Sequence, residues 1–106
     1  RRAPVRFRPL PTMPAAEFDL AFLVPEATEA AAVETVLRRA AGELLERIEL
    51  FDEFRGKGVP AGYRSLAWRL TFRHPARTLN EKELAGRRQK LIATVDQELG
   101  VAARTA

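Results

Sequence analysis

The sequence predicts an α+β domain in which a four-stranded antiparallel sheet carries two helices on one face. Three observations lead there. Stretches at 17–24, 44–54 and 65–73 concentrate or alternate apolar, aromatic and β-branched residues over strand-like lengths. Two longer segments, opening near Thr28 and Asn80, carry apolar residues at helical spacing. Pro14, Pro25, Gly42, the glycines between Gly56 and Gly62, Pro75 and Gly100 punctuate the boundaries.

Residues 1–13 are expected to be an extended linker or arm, since Arg1 to Pro14 carries four arginines and four prolines. The domain proper is expected over 14–104, with 105–106 as a tail. Glu17 to Val24 is the first strand, apolar on both parities and therefore central: Phe18, Leu20, Phe22 and Val24 share one face, and Asp19, Ala21 and Leu23 the other. Thr28 serves as N-cap of the first helix, whose stripe is Val33, Val36, Leu37, Ala40 and Ala41 before Gly42 stops it. Leu44 to Phe54 interleaves Glu46, Arg47, Glu49 and Glu53 with apolar residues, the pattern of an edge strand. Arg55 to Arg64 supplies three glycines, a proline and three cations in ten residues, a long basic hairpin tip. In Ser65 to Arg73, Leu66, Trp68, Leu70 and Phe72 alternate with Ala67, Arg69, Thr71 and Arg73. Asn80 and Glu83 form a capping box for a helix reaching about Leu99, with Leu84, Leu91, Ile92, Val95 and Leu99 inward and Lys82, Arg87, Arg88 and Lys90 mostly outward. Gly100 closes it, and Val101 to Arg104 forms a short last strand. The order βαββαβ is the ferredoxin-like split βαβ arrangement, whose right-handed crossovers place both helices on one side. The open side would show Asp19, Ala21, Leu23, Ala67, Arg69, Thr71 and Arg73 if no bulge shifts the register.

At 106 residues, 46% apolar and 30% charged, the chain suits one modest core. Eighteen Lys and Arg against fourteen Asp and Glu give a formal charge of +4, which makes a phosphate-bearing partner plausible beside the plainer reading of a solvated arginine-rich surface. Without cysteine there is no disulfide, thiolate metal site or cysteine nucleophile. No run of roughly 18 apolar residues suggests a membrane span, and no signal peptide is evident, so a cytoplasmic protein is expected. The start at Arg1, without methionine, suggests a piece of a longer chain, although processing leaves the same trace.

Topology alone decides little about activity. An acylphosphatase-like cradle needs glycines and an arginine after the first strand, where this chain has Pro25-Glu26-Ala27-Thr28; a ligand-sensing loop with glycine is missing from the same place. A heavy-metal module needs paired cysteines. An ordinary RNA-recognition module stacks bases on rings in mid-sheet, but the outward middle positions are Ala21 and Thr71. Phe51, Phe54 and Tyr63 offer stacking nearer the hairpin, packing being the plainer alternative for each. No nucleophile pairs with a base by spacing, His74 has no companion ligand, and Asp52 and Glu53 beside Arg55 read as hairpin ion pairs.

Three linked segments carry a resemblance: F-D-E-F-R-G-K-G-V-P at 51–60, R-S-L-A-W-R-L-T-F at 64–72 and R-T-L-N-E-K-E-L at 77–84. In this order they resemble the ferredoxin-fold anticodon-binding domain at the C-terminus of the bacterial phenylalanyl-tRNA synthetase β subunit. Pro14 to Ala21 fits the same pattern, and the likeness extends from Pro9 to Arg104. The resemblance implies a non-catalytic module with no cofactor of its own, docking on the anticodon arm of the phenylalanine tRNA. A separate core, using ATP and Mg, performs the aminoacylation in an α2β2 assembly of α and β subunits. It also places Phe54 and Ser65 near the first anticodon base. Here Phe54 stands where the family has tyrosine, losing the hydroxyl but keeping the π-face, and Phe18 stands where arginine is frequent. Arg55, Lys57, Arg64, Arg69 and Arg73 are the expected phosphate-contacting stripe, against the alternative of a solvated surface. No DNA or membrane partner is implied. Two competing readings are a bracing or protein-contact domain within the synthetase, supported by apolar Ala21, Leu23 and Ala67, and the same module in a single-chain organellar enzyme.

Overall fold

The computed structural model describes residues 13–104; the expected arm, but for Met13, and the tail lie outside the described residues. The elements run β1 (Ala16–Pro25), α1 (Ala30–Ala41), β2 (Leu45–Phe54), β3 (Tyr63–Phe72), α2 (Glu81–Leu99) and β4 (Ala102–Ala103). They form one antiparallel sheet in the order β2-β3-β1-β4. This is the ferredoxin-like βαββαβ sandwich.

Alternation in the two central strands sets the layers. Leu20, Phe22 and Val24 of β1 and Leu66, Trp68, Leu70 and Phe72 of β3 are buried together with Val33, Val36 and Leu37 of α1 and Leu91 and Val95 of α2. Burying each large side chain contributes about 1.5–3 kcal/mol. The alternate residues lie on the opposite face, as their parity predicts: Asp19 is exposed, and Ala21, Leu23, Ala67, Arg69 and Thr71 are half-exposed. Phe18 completes the helix-covered layer by stacking on Phe72, centroids 5.4 Å apart.

The second helix starts as its sequence dictates. Asn80 accepts a hydrogen bond from the Glu83 amide at 2.8 Å, and Glu83 accepts from the Asn80 amide at 3.0 Å, closing the capping box. Gly100, at φ 66°, takes the left-handed turn that ends the helix and sends the chain into β4. The first helix departs from expectation: Glu29, not Thr28, holds the N-cap position, and no side chain caps it. Thr28 belongs to the preceding turn, where its amide donates to Pro25 and its carbonyl accepts from Arg64. Arg87 and Arg88 also depart from their outward assignment. Arg87 lies over the Phe72 ring and donates to the Ala41 carbonyl, while Arg88 lies over Phe18 and donates to the Asp19 carbonyl.

β2 is the edge strand, and it is not regular. Register shifts occur between Leu45 and Arg47 and between Leu50 and Asp52. Before the second shift Ile48 pairs with Leu70 and Leu50 with Trp68, on the helix-covered side; after it, Asp52 pairs with Ala67 and Phe54 with Ser65, on the open side. One extra residue, Phe51, therefore reverses the parity of the strand.

Candidate nucleic-acid interface on the open sheet

The parity reversal places Phe54 beside Ser65 as direct cross-strand partners, and Ser65 pairs on its other flank with Leu23. Phe54 is 39% exposed whereas Ser65 is only 4% exposed. Phe51 and Tyr63 are likewise exposed rings at this end of the sheet. The three aromatics thus lie outside the core, consistent with strand and loop positions that no helix covers.

The cations assigned to the stripe have different surroundings. Arg55 at the start of the hairpin loop grips Glu26 with two hydrogen bonds of 2.5 and 2.8 Å and approaches Glu53 at 3.1 Å. The Glu26 bond, the largest effect, holds the guanidinium above its usual pKa and draws the Glu26 carboxyl below its own. Arg64 is 7% exposed, because β3 starts at Tyr63 and gives Arg64 the inward parity of Leu66. Its guanidinium donates to the Pro25 and Thr28 carbonyls, each at 2.9 Å, and meets Glu53 at 3.2 Å. It thereby ties the hairpin base to the turn between β1 and α1.

Arg69 spans to Asp19 through two bonds of 2.9 and 3.1 Å, which raise its pKa, while its guanidinium carbon sits 4.4 Å from the Phe51 ring centroid. Arg73 pairs with Glu46 at 3.0 Å and donates to the Met13 carbonyl. Lys57, exposed in the loop, has no ion pair among the described residues.

One further cation stands at this end. Arg104 follows β4, its amide donating to the Ala21 carbonyl at 2.7 Å, and its guanidinium lies 5.7 Å from the Phe54 ring centroid. It also has no carboxylate partner among the described residues. Gly58 makes room for it: a Cβ there would stand 3.3 Å from an Arg104 terminal nitrogen, and the glycine's φ of 87° independently disfavours a side chain. Ala102 pairs with Leu23, which puts Arg104, two residues on, at the open face; its contact with Phe54 depends on the fold and has no signature in linear spacing.

The described residues contain no group of three or more His, Asp or Glu positioned to hold a metal, and no helix long and apolar enough to cross a membrane. His74 accepts a hydrogen bond from the Ala76 amide at 3.0 Å within its own turn. The molecule is thus a ferredoxin-like module presenting a sheet face that gathers aromatic rings and cations.

Comparison with known families gives that class a specific place. The family model "Ferredoxin-fold anticodon binding domain" matches residues 11–104. The chain is 45% identical, over 99% of its length, to the phenylalanine–tRNA ligase β subunit of a Synechococcus strain, of which the match covers 13%. It is 44% identical over 93% of its length to the corresponding subunit of Moorella thermoacetica, covering 12% of it, and 43% identical over 85% to that of Bifidobacterium longum, covering 10%. The chain belongs to the ferredoxin-fold anticodon-binding domain family. It spans about an eighth of the length of the Synechococcus relative, as the 13% coverage shows.

Proposed function

We propose that this chain is the anticodon-arm-binding module of a phenylalanine–tRNA ligase β subunit. On this reading it positions the phenylalanine tRNA while a separate catalytic core, using ATP and Mg, joins amino acid to tRNA. The rest of the β subunit and the α subunit are its protein partners, in the cytoplasm. The observation that carries the reading is the pairing of Phe54 with Ser65 on the open face, beside Lys57 and Arg104, two cations with no carboxylate partner among the described residues. Rings stack on bases with little regard to sequence, while a hydroxyl can hydrogen-bond a base edge.

Within this reading Phe54 supplies the stacking surface and Ser65 a base-edge contact, with Lys57 on phosphate. Arg55, Arg69 and Arg73 reach phosphate by exchanging it for the carboxylates they hold, which makes their net contribution smaller than that of an unpaired cation. Arg64 acts through the framework, fixing the hairpin base on which Phe54 and Ser65 stand.

Titration of the chain with anticodon stem-loops tests the assignment. Phe54→Ala is expected to remove about 1–3 kcal/mol, roughly 5- to 150-fold in Kd, from the stem-loop carrying the phenylalanine anticodon, and less from stem-loops with other anticodons. Equal losses on every anticodon would reduce Phe54 to a packing residue. Absence of stem-loop binding by the unaltered chain, with binding to the remaining synthetase subunits, would favour the bracing role.

A further inference from the structure

The half-exposed Phe54 ring has a neighbour from the far edge of the sheet. β4 and β2 are separated by β1 and β3, about 14 Å at three ordinary strand spacings. Arg104 closes that distance from one side and the Phe54 ring from the other, so that they meet above the two central strands. Beneath them Ala21 pairs with Ala67, and in the adjacent row Ser65 is flanked by Leu23 on one side and Phe54 on the other. Ser65, at 4% exposure, is nearly closed to solvent although no helix covers its face. A base seated on Phe54 and touching Ser65 needs the space above that row.

The two arginine–aromatic pairs on this face are not equivalent. Over Phe51, Arg69 is locked by both oxygens of Asp19. Over Phe54, Arg104 has no carboxylate to leave among the described residues, and it is the lack of a side chain at Gly58 that gives its terminal nitrogen room beside the loop. A cation over a phenylalanine in an exposed place is held more weakly than a base stacked on the same ring. A guanidinium is also suited to take a phosphate in a forked pair once it is free.

We infer that Arg104 is a further RNA-binding residue that acts as an exchangeable cover. In the free chain it occupies the ring face of Phe54; when RNA docks, a base takes that place and the guanidinium moves to an adjoining phosphate. The inference rests on the proposed anticodon-arm reading and adds to it a residue and a conformational step. It separates the two aromatics as well, since the base goes to Phe54, whose cover is free to leave, and not to Phe51.

The test uses the 106-residue chain and the phenylalanine anticodon stem-loop over a salt series. Arg104→Ala is expected to raise Kd about 10-fold and to lower the slope of log affinity against log salt by about 0.7–0.9, as loss of one phosphate contact requires. Arg104→Lys should retain the slope while recovering part of the affinity. In the unaltered chain, the Arg104 side-chain NMR signals, shifted by the Phe54 ring, should move away from that position as RNA is added; in Phe54→Ala the ring shift should be absent at the outset. If the unaltered chain binds the stem-loop and Phe54→Ala loses anticodon preference, but Arg104→Ala keeps the affinity and slope, the exchange is wrong and the proposed function stands. An Arg104→Ala chain that binds more tightly would likewise overturn it, making the residue a cover only. If the unaltered chain fails to bind the stem-loop at all, both readings fall.

Discussion

Arg64 allows the framework and phosphate roles to be separated by one substitution. Its guanidinium is 7% exposed and donates to two backbone carbonyls, Pro25 and Thr28, at 2.9 Å. Hydrogen bonds from a charged donor are each worth about 1.5–3 kcal/mol. The contact with Glu53 at 3.2 Å adds little, because that carboxylate is 45% exposed and screened. Arg64→Ala removes both hydrogen bonds, and part of the loss is offset, by water and at Pro25 by the Thr28 amide, which still donates to its carbonyl. A loss of about 2–4 kcal/mol follows, which for a domain of this size lowers Tm by roughly 10–20 °C.

The assay is built into the chain: Trp68, the only tryptophan, is 1% exposed, so its emission reports unfolding in urea or heat. Arg64→Lys keeps the charge but not the fork, and should recover less than half of the loss. Measured under conditions where each variant is folded, the salt dependence of stem-loop binding should stay that of the unaltered chain. A phosphate contact instead predicts stability within about 0.5 kcal/mol and a slope reduced by about 0.7–0.9. That second pattern would refute the framework role.

Two other outcomes follow from the second helix. Asn80→Ala opens the capping box and should cost about 1 kcal/mol, readable as a Tm decrease of about 4–8 °C with unchanged stem-loop selectivity, because α2 packs on the helix-covered side of the sheet. Glu83 is held at a pKa of about 2, chiefly by its hydrogen bonds from Arg77 and then by that from the Asn80 amide. A carboxyl depressed by folding stabilises the native chain above its unfolded pKa and ceases to do so as pH falls through the folded value. Urea midpoints should therefore drop between about pH 4.5 and 2, and Glu83→Gln should flatten that part of the profile; an identical profile in the variant would show that other carboxyls control it.

The fold was legible wherever a residue's neighbours along the chain decide its environment. Leu66, Trp68, Leu70 and Phe72 alternate without interruption, so strand, face and central position follow from spacing alone. Asn80 and Glu83 meet because three residues separate them in a first helical turn. Phe54 is different: continuing the parity of Ile48 and Leu50 would have sent it to the helix-covered face, and only the bulge at Phe51 turns it outward. Family resemblance singled out Phe54 without supplying that geometry. Arg64 was grouped with the loop cations because the strand was expected to begin at Ser65; starting two residues earlier makes it an inward position. Thr28 looked like a cap by residue type, yet its carbonyl was needed by an arginine 36 positions away. Arg104 carried no local signal, since its partner lies across the whole sheet.

The positive charge of the chain and the location of the proposed binding surface are consequently separate properties. Four of the five cations expected to form a phosphate stripe already face carboxylates: Arg55 on Glu26, Arg64 on Glu53, Arg69 on Asp19 and Arg73 on Glu46. An exposed guanidinium that must release a carboxylate to accept a phosphate trades one charged partner for another, and the carboxylate left behind repels the incoming strand. Lys57 and Arg104 face no such exchange among the described residues, and Gly58 places the loop against the Arg104 guanidinium. On the proposed reading the glycine-rich hairpin contributes chiefly by its shape: Arg55 and Arg64 clamp its base to the turn between β1 and α1, and Gly56 and Gly58, on either side of Lys57, stand beside the Phe54 ring and the Arg104 guanidinium. On the proposed reading, selectivity then arises from a ring and a hydroxyl held on strands, with charge supplying attachment around them.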